Sequence, residues 1–232
     1  MLNSVVPMGW LWEIAQQCRA NLRSHAFYQS VANASSSKDF YWIHQLYHLS
    51  ADFTAATALR YGKCDDPRFR DAFGEHAGEE VQHPAQLAKW MREFGFLTPD
   101  RLPTSVPPNL VTLALGAYFI RSVMREPFAH QIITLNLMTE SIAVDFYAQV
   151  NPKLTQLGLT PKEYWLVHQE ADTHHQILGL DLIPQCSQDS PLGAEYLRAV
   201  YEVTQLWRQL FDSWNQVIQC PDREVAYLSG IS

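Results

Sequence analysis

At 232 residues, with 47% hydrophobic and 18% charged residues, the chain has the length for one substantial core and a globular rather than disordered composition. One domain over 1-232 is expected. The formal net charge of -7, with no run of Lys and Arg, argues against nucleic acid and anionic membrane surfaces as partners.

The four cysteines, Cys18, Cys64, Cys186 and Cys220, lie far apart and form no CxxC pair. They read as reduced thiols rather than as a disulfide framework. The first residues lack a basic stretch followed by a long apolar one, so no signal peptide is expected. Arg121, Arg125 and Glu126 interrupt the longest apolar stretch, which argues against a membrane span. A soluble, cytoplasmic protein is the expectation.

Helical periodicity dominates the chain and strand-like alternation is almost absent. Trp10, Ile14, Cys18 and Leu22 recur at helical spacing and predict a first helix from about Trp10 to Tyr28. Ser36 or Ser37 is placed to cap a second helix, from about Lys38 to Tyr61, which stops at Gly62. A third starts at Asp66-Pro67 and runs to about Phe94, with Gly95 behind it. Four prolines between Pro99 and Pro108 mark a connection. A fourth helix then covers about Asn109 to Arg125, and a fifth reaches from Pro127 to about Val150. Thr160 and Pro161 open a sixth that ends between Gly179 and Pro184, and an amphipathic seventh runs from about Gly193 to Ile218. The fold class is all-α, a single domain of seven helices.

Two stretches carry the chemistry. Residues three, four and seven apart share one face of a helix. In His76-Ala-Gly-Glu79-Glu80-Val-Gln-His83 this aligns His76, Glu79 or Glu80, and His83. In His168-Gln-Glu-Ala-Asp172-Thr-His174-His175 it aligns His168, Asp172 and His175. Taken alone, the first stripe reads first as a solvated face or a hydrogen-bonded pair. The second is harder to read so, because it offers three ligand side chains at i, i+4 and i+7. Glu80-x-x-His83 has the spacing of the ligand pair that helical di-iron bundles project inward. A third helix adds Glu140 in the apolar setting Leu135-Asn-Leu-Met-Thr-Glu-Ser-Ile, where an unpaired carboxylate is costly to bury. Three helices thus supply a mixed His/carboxylate set suited to one or two irons with positions open for O2.

This order and spacing resembles the haem-oxygenase-like di-iron oxidases, often grouped with thiaminase II-like proteins. The resemblance spans most of the chain. It implies a seven-helix haem-oxygenase-like bundle without haem, with iron held by Glu80, His83, Glu140, His168, Asp172 and His175. Some members carry a carboxylate seven residues before the helix-three histidine, where this chain has His76, which is therefore included among the expected metal ligands. Others draw a carboxylate from the second helix, where this chain offers His44, Tyr47, His48 and Asp52. His44, Tyr47, His48, Tyr118 and Tyr147 are expected to line a substrate pocket, and the catalytic residues stay unassigned. Small-molecule substrate, O2 and a second copy of the chain in a homodimer are the expected partners.

The leading functional expectation is a non-haem iron oxidase or oxygenase acting on a small organic substrate. A thiaminase II-type hydrolase needs a nucleophilic cysteine in the central helices, and none lies between Tyr118 and Val150. Haem oxygenase chemistry is disfavoured because only Gly116 lies in helices four and five, leaving no glycine-rich distal helix. The alternative from another class is a metal-free binding protein on the same fold.

Overall fold

The computed structural model describes residues 8–220, and for residues 169–174 the backbone alone. Among the described residues the chain is helical, with no strand. The elements are α1 (Gly9–Arg23), α2 (Ala26–Asn33), α3 (Ile43–Lys63), α4 (Pro67–Glu80), α5 (His83–Glu93) and α6 (Leu110–Arg125). Then follow α7 (Phe128–Gln131), a π-helical stretch Ile132–Glu140, α8 (Ser141–Gln156), α9 (Glu163–His175) and α10 (Pro191–Gln219).

Three of the expected helices are interrupted, each for a local reason. The first breaks at His25, whose backbone is extended and whose Nδ1 accepts the Phe27 N–H at 3.1 Å. That contact caps a new helix instead of continuing the old one. At the start of the second, Ser36 and Asp39 form a reciprocal capping box around a 3₁₀ turn, Ser37–Phe40. The α-helix proper begins only at Ile43 and runs past Gly62 to Lys63.

The third interruption matters most. Helix α4 ends at Glu80 and α5 begins at His83. Pro84 is the cause: it has no N–H, and its ring excludes the carbonyl four residues earlier, that of Glu80. The released Glu80 carbonyl accepts the Thr54 hydroxyl from α3 at 3.1 Å.

The expected fifth helix holds together as α7, the π stretch and α8, running without a break past Pro152 to Gln156. Every residue from Ile132 to Glu140 is buried. The wider π turn leaves carbonyls poorly placed for an α ladder, and Thr139 donates its hydroxyl to the Thr134 carbonyl at 2.8 Å.

Helix α3 lies at the centre, packed against α4, α5 and α6, while α10 covers α2, α6 and the π stretch. At the α3–α6 crossing a Cβ on Gly116 would stand 1.9 Å from Asp52 Oδ2, so any larger residue there would have to displace the Asp52 side chain. Part of the core is a cluster of aromatic rings. Phe27 stacks on Phe211 at 5.1 Å and Trp42 on Trp214 at 4.9 Å, all four being fully buried. Helices α4, α5, the π stretch and α9 bring their His and Glu side chains together beside this core.

Candidate metal centre

Two groups of ligand atoms meet between those four elements and share one residue. His76, Glu80, Glu140 and His175 each offer an atom within 4.8 Å of the others, and so do Glu80, His83 and His168. All six side chains are buried. Glu80 sits at the junction: its Oε2 lies 2.7 Å from His83 Nδ1, and its Oε1 lies 3.9 Å from His76 Nε2 and 4.0 Å from His175 Nδ1. The break at Val81–Gln82 produces this placement, since Glu80 closes one helix and His83 opens the next.

The outer nitrogens of two histidines are anchored. His168 Nδ1 donates to the Tyr164 carbonyl one turn back, at 2.5 Å. His175 Nε2 is hydrogen-bonded to Glu79, which is half exposed. Each contact orients its ring and aims the other nitrogen inward, as supporting groups around metal-ligating histidines do. Glu79 thus backs His175 while Glu80 faces the interior.

The π stretch delivers Glu140 and Asn136 from one buried helix face. Glu140 Oε1 lies 2.6 Å from His76 Nε2 and 3.6 Å from His175 Nδ1. Asn136 accepts from Arg60 Nη1 at 2.7 Å and donates from Nδ2 to the His175 carbonyl at 3.0 Å. Arg60 is entirely buried, donates from Nη2 to His76 Nδ1 at 2.7 Å, and stacks over Phe73 at 4.1 Å.

The protonation balance follows from burial and partners. Burial pushes Arg60 down to about 9, opposed by the charge of Glu140, so it is a cation at neutral pH. Burial would raise Glu140, but hydrogen bonds from His175 and His76 outweigh it and hold the carboxyl well below its usual range. Burial, reinforced by His83, lowers His168 to about 4, which keeps its imidazole neutral and able to ligate. Burial would lower His175 too, yet the Glu140 and Glu79 contacts lift it to about 9 in the metal-free protein.

An iron centre fits these residues on two counts. Glu80 Oε1 is buried and has no hydrogen-bond partner, an arrangement that a cation would relieve. Imidazole and carboxylate are also the donor types that non-haem iron takes. Asp172, expected among the ligands, has its side chain outside the described residues.

A cavity adjoins the cluster, lined by Glu80, Glu140 and His168 on one side. Its remaining wall is chiefly apolar, with Leu46, Leu49 and Phe53 from α3, Phe119 from α6 and Trp207 from α10. Of the residues expected to line a pocket, Tyr147 does so, its ring stacked on His168 at 4.6 Å. His44, Tyr47, His48 and Tyr118 are not among the lining residues. On α3 the cavity face is Leu46, Leu49, Ser50 and Phe53, at i, i+3, i+4 and i+7, whereas His44 and His48 belong to a neighbouring stripe. There His48 Nε2 meets the Val106 carbonyl at 2.6 Å. Tyr118 instead donates to Glu202 at 2.9 Å and meets His130 at 3.2 Å. Sequence reasoning missed Arg60, Asn136 and Thr54. Only Asn136 left a sign, as a lone amide four residues before Glu140 in an apolar helix.

An all-helical bundle with a buried carboxylate–histidine cluster defines the class of protein. A model of the iron-containing redox enzyme family matches residues 41–208, and the chain belongs to that family. Among solved structures, a TenA homologue from Pseudomonas syringae pv. tomato str. DC3000 is similar, with a TM-score of 0.76 and 16% identity over 93% of this chain and 96% of that one. A domain of unknown function with a heme oxygenase-like fold from Shewanella denitrificans OS217 gives 0.72 and 17%, over 94% and 96%. A TenA homologue from Pyrococcus furiosus gives 0.66 and 12%, over 89% and 98%. These likenesses establish a heme oxygenase-like fold. No curated protein matches the chain.

Proposed function

We propose that this chain is a non-haem iron oxidase or oxygenase that uses O2 on a small organic substrate. The observation that carries the reading is the pair of buried ligand groups joined at Glu80, with an apolar cavity opening against three of their members. In this reading Glu80, His83 and His168 hold one iron, and Glu80, Glu140 and His175, with Asp172, hold a second. Bound ferrous iron supplies the electrons with which such sites reduce O2.

The protein's part is positioning and exclusion. Tyr164 O and Glu79 keep His168 and His175 aimed at the centre. The Leu46, Leu49, Phe53, Phe119 and Trp207 wall keeps water away and gives the substrate an apolar seat beside Glu80 and His168. A thiaminase-type route lacks its nucleophile, because no cysteine lines this cavity.

The test is O2 uptake after anaerobic loading with ferrous iron. Loaded protein should consume O2 faster than the same iron in buffer, and the His83→Ala variant should not. Equal rates for loaded protein and free iron would overturn the oxidase reading.

A further inference from the structure

His76 differs from the other histidines of the cluster in the direction of its hydrogen bonds. His168 presents an outer nitrogen to a carbonyl, and His175 presents one to a carboxylate. His76 presents Nδ1 to donors. Arg60 Nη2 lies 2.7 Å from it, and a guanidinium has hydrogens to give and no lone pair to receive one. Asn136 Nδ2 lies 3.1 Å from the same nitrogen. The amide orientation is fixed independently, because Asn136 Oδ1 must be the atom that accepts from Arg60 Nη1 at 2.7 Å.

With two donors aimed at it, Nδ1 carries the lone pair. In a neutral imidazole the hydrogen is then on Nε2. That nitrogen lies 2.6 Å from Glu140 Oε1, the distance of a short charge-assisted hydrogen bond. A ring nitrogen that holds its hydrogen has no lone pair left for a metal.

We infer that His76 is a hydrogen-bond donor to Glu140 and not an iron ligand, held in that role by Arg60 and Asn136 as positioning residues. The inference rests on the iron-centre reading and narrows it. His76 holds Glu140 through Oε1, and an ionised carboxylate keeps lone pairs free for a metal while accepting that bond. The ligand set from the described side chains is then Glu80, His83, Glu140, His168 and His175.

The experiment pairs anaerobic ferrous-iron titration with nitrogen NMR of the histidines. In metal-free wild type, the His76 ring should show hydrogen on Nε2 and none on Nδ1; hydrogen on Nδ1 would overturn the inference. In the titration, His76→Gln keeps an N–H near the Nε2 position and should hold as much iron as wild type. His76→Phe removes the donor, and should keep the stoichiometry while affinity falls about 10–100-fold. His83→Ala, which removes a ligand, should lose an iron equivalent. Loss of an iron equivalent in His76→Gln while wild type holds its full complement would overturn the inference and leave the oxidase reading standing. Wild type that takes up no iron would overturn the oxidase reading, and the NMR would still decide where the His76 hydrogen sits.

Discussion

At the scale of single residues, burial and partners push the histidines in opposite directions. Burial, reinforced by His48, lowers His44 to about 4 from 6.5. A base with a depressed value in the folded state leaves the unfolded chain binding the extra proton, so stability is lost as pH falls from about 6.5 towards 4. His175 in the metal-free protein is raised to about 9, so its contribution is whole below about 6.5 and is lost as pH rises through 9. Metal-free protein should therefore be most stable near pH 6.5. Urea unfolding across pH should show His44→Gln losing about 2–3 kcal/mol less than wild type between pH 7 and 4.5. An unchanged acid limb would contradict the buried neutral His44. Arg60 makes a separate case: it is a fully buried cation that donates to Asn136 Oδ1 and His76 Nδ1, and Arg60→Met leaves both acceptors without their donor. The variant should be less stable by about 2–5 kcal/mol in the metal-free state, because two buried acceptors lose their donor. A loss well under 1 kcal/mol would deny the arginine that role.

At the scale of elements, the break between α4 and α5 and the π turn are the devices that assemble the site. Thr54→Val keeps the shape of the side chain and removes the hydroxyl that satisfies the Glu80 carbonyl. It should cost about 1–3 kcal/mol and weaken iron binding, both read by unfolding with and without ferrous iron. A variant as stable as wild type would show that the carbonyl finds another donor. The two stripes were legible because i, i+3 and i+4 spacing survives in sequence. The break was signalled by Pro84, yet the periodic pattern from Asp66 to Phe94 ran straight across it. The π stretch leaves no periodic mark, since every residue from Ile132 to Glu140 is buried. The α3 face that lines the cavity stands one or two positions from His44, Tyr47 and His48, which is about 100–200° around a helix. His44 and His48 were conspicuous as polar residues, while Leu46, Leu49 and Phe53 looked like ordinary core.

At the scale of the whole molecule, the all-α class was plain from periodicity. The charges that decide the site were partly hidden: Arg60 reads as a basic residue in a helix's last turn and proves to be fully buried. A cluster holding Glu80 and Glu140 around an unpartnered oxygen should stabilise strongly on binding a cation. Ferrous iron at about 100 times its dissociation constant should add about 2.7 kcal/mol. That corresponds to a rise of about 5–11 °C in Tm for a domain of this size, reversed by chelator; no shift would mean that the folded protein does not bind iron preferentially. The most direct test of the metal centre is elemental analysis of protein made in iron-supplemented medium, beside the His168→Ala/His175→Ala double variant. One or two irons per chain in wild type, lost in the folded variant, is the expected result. Wild type without metal, even after anaerobic loading with ferrous iron, would contradict the account and leave a metal-free binding protein on this fold.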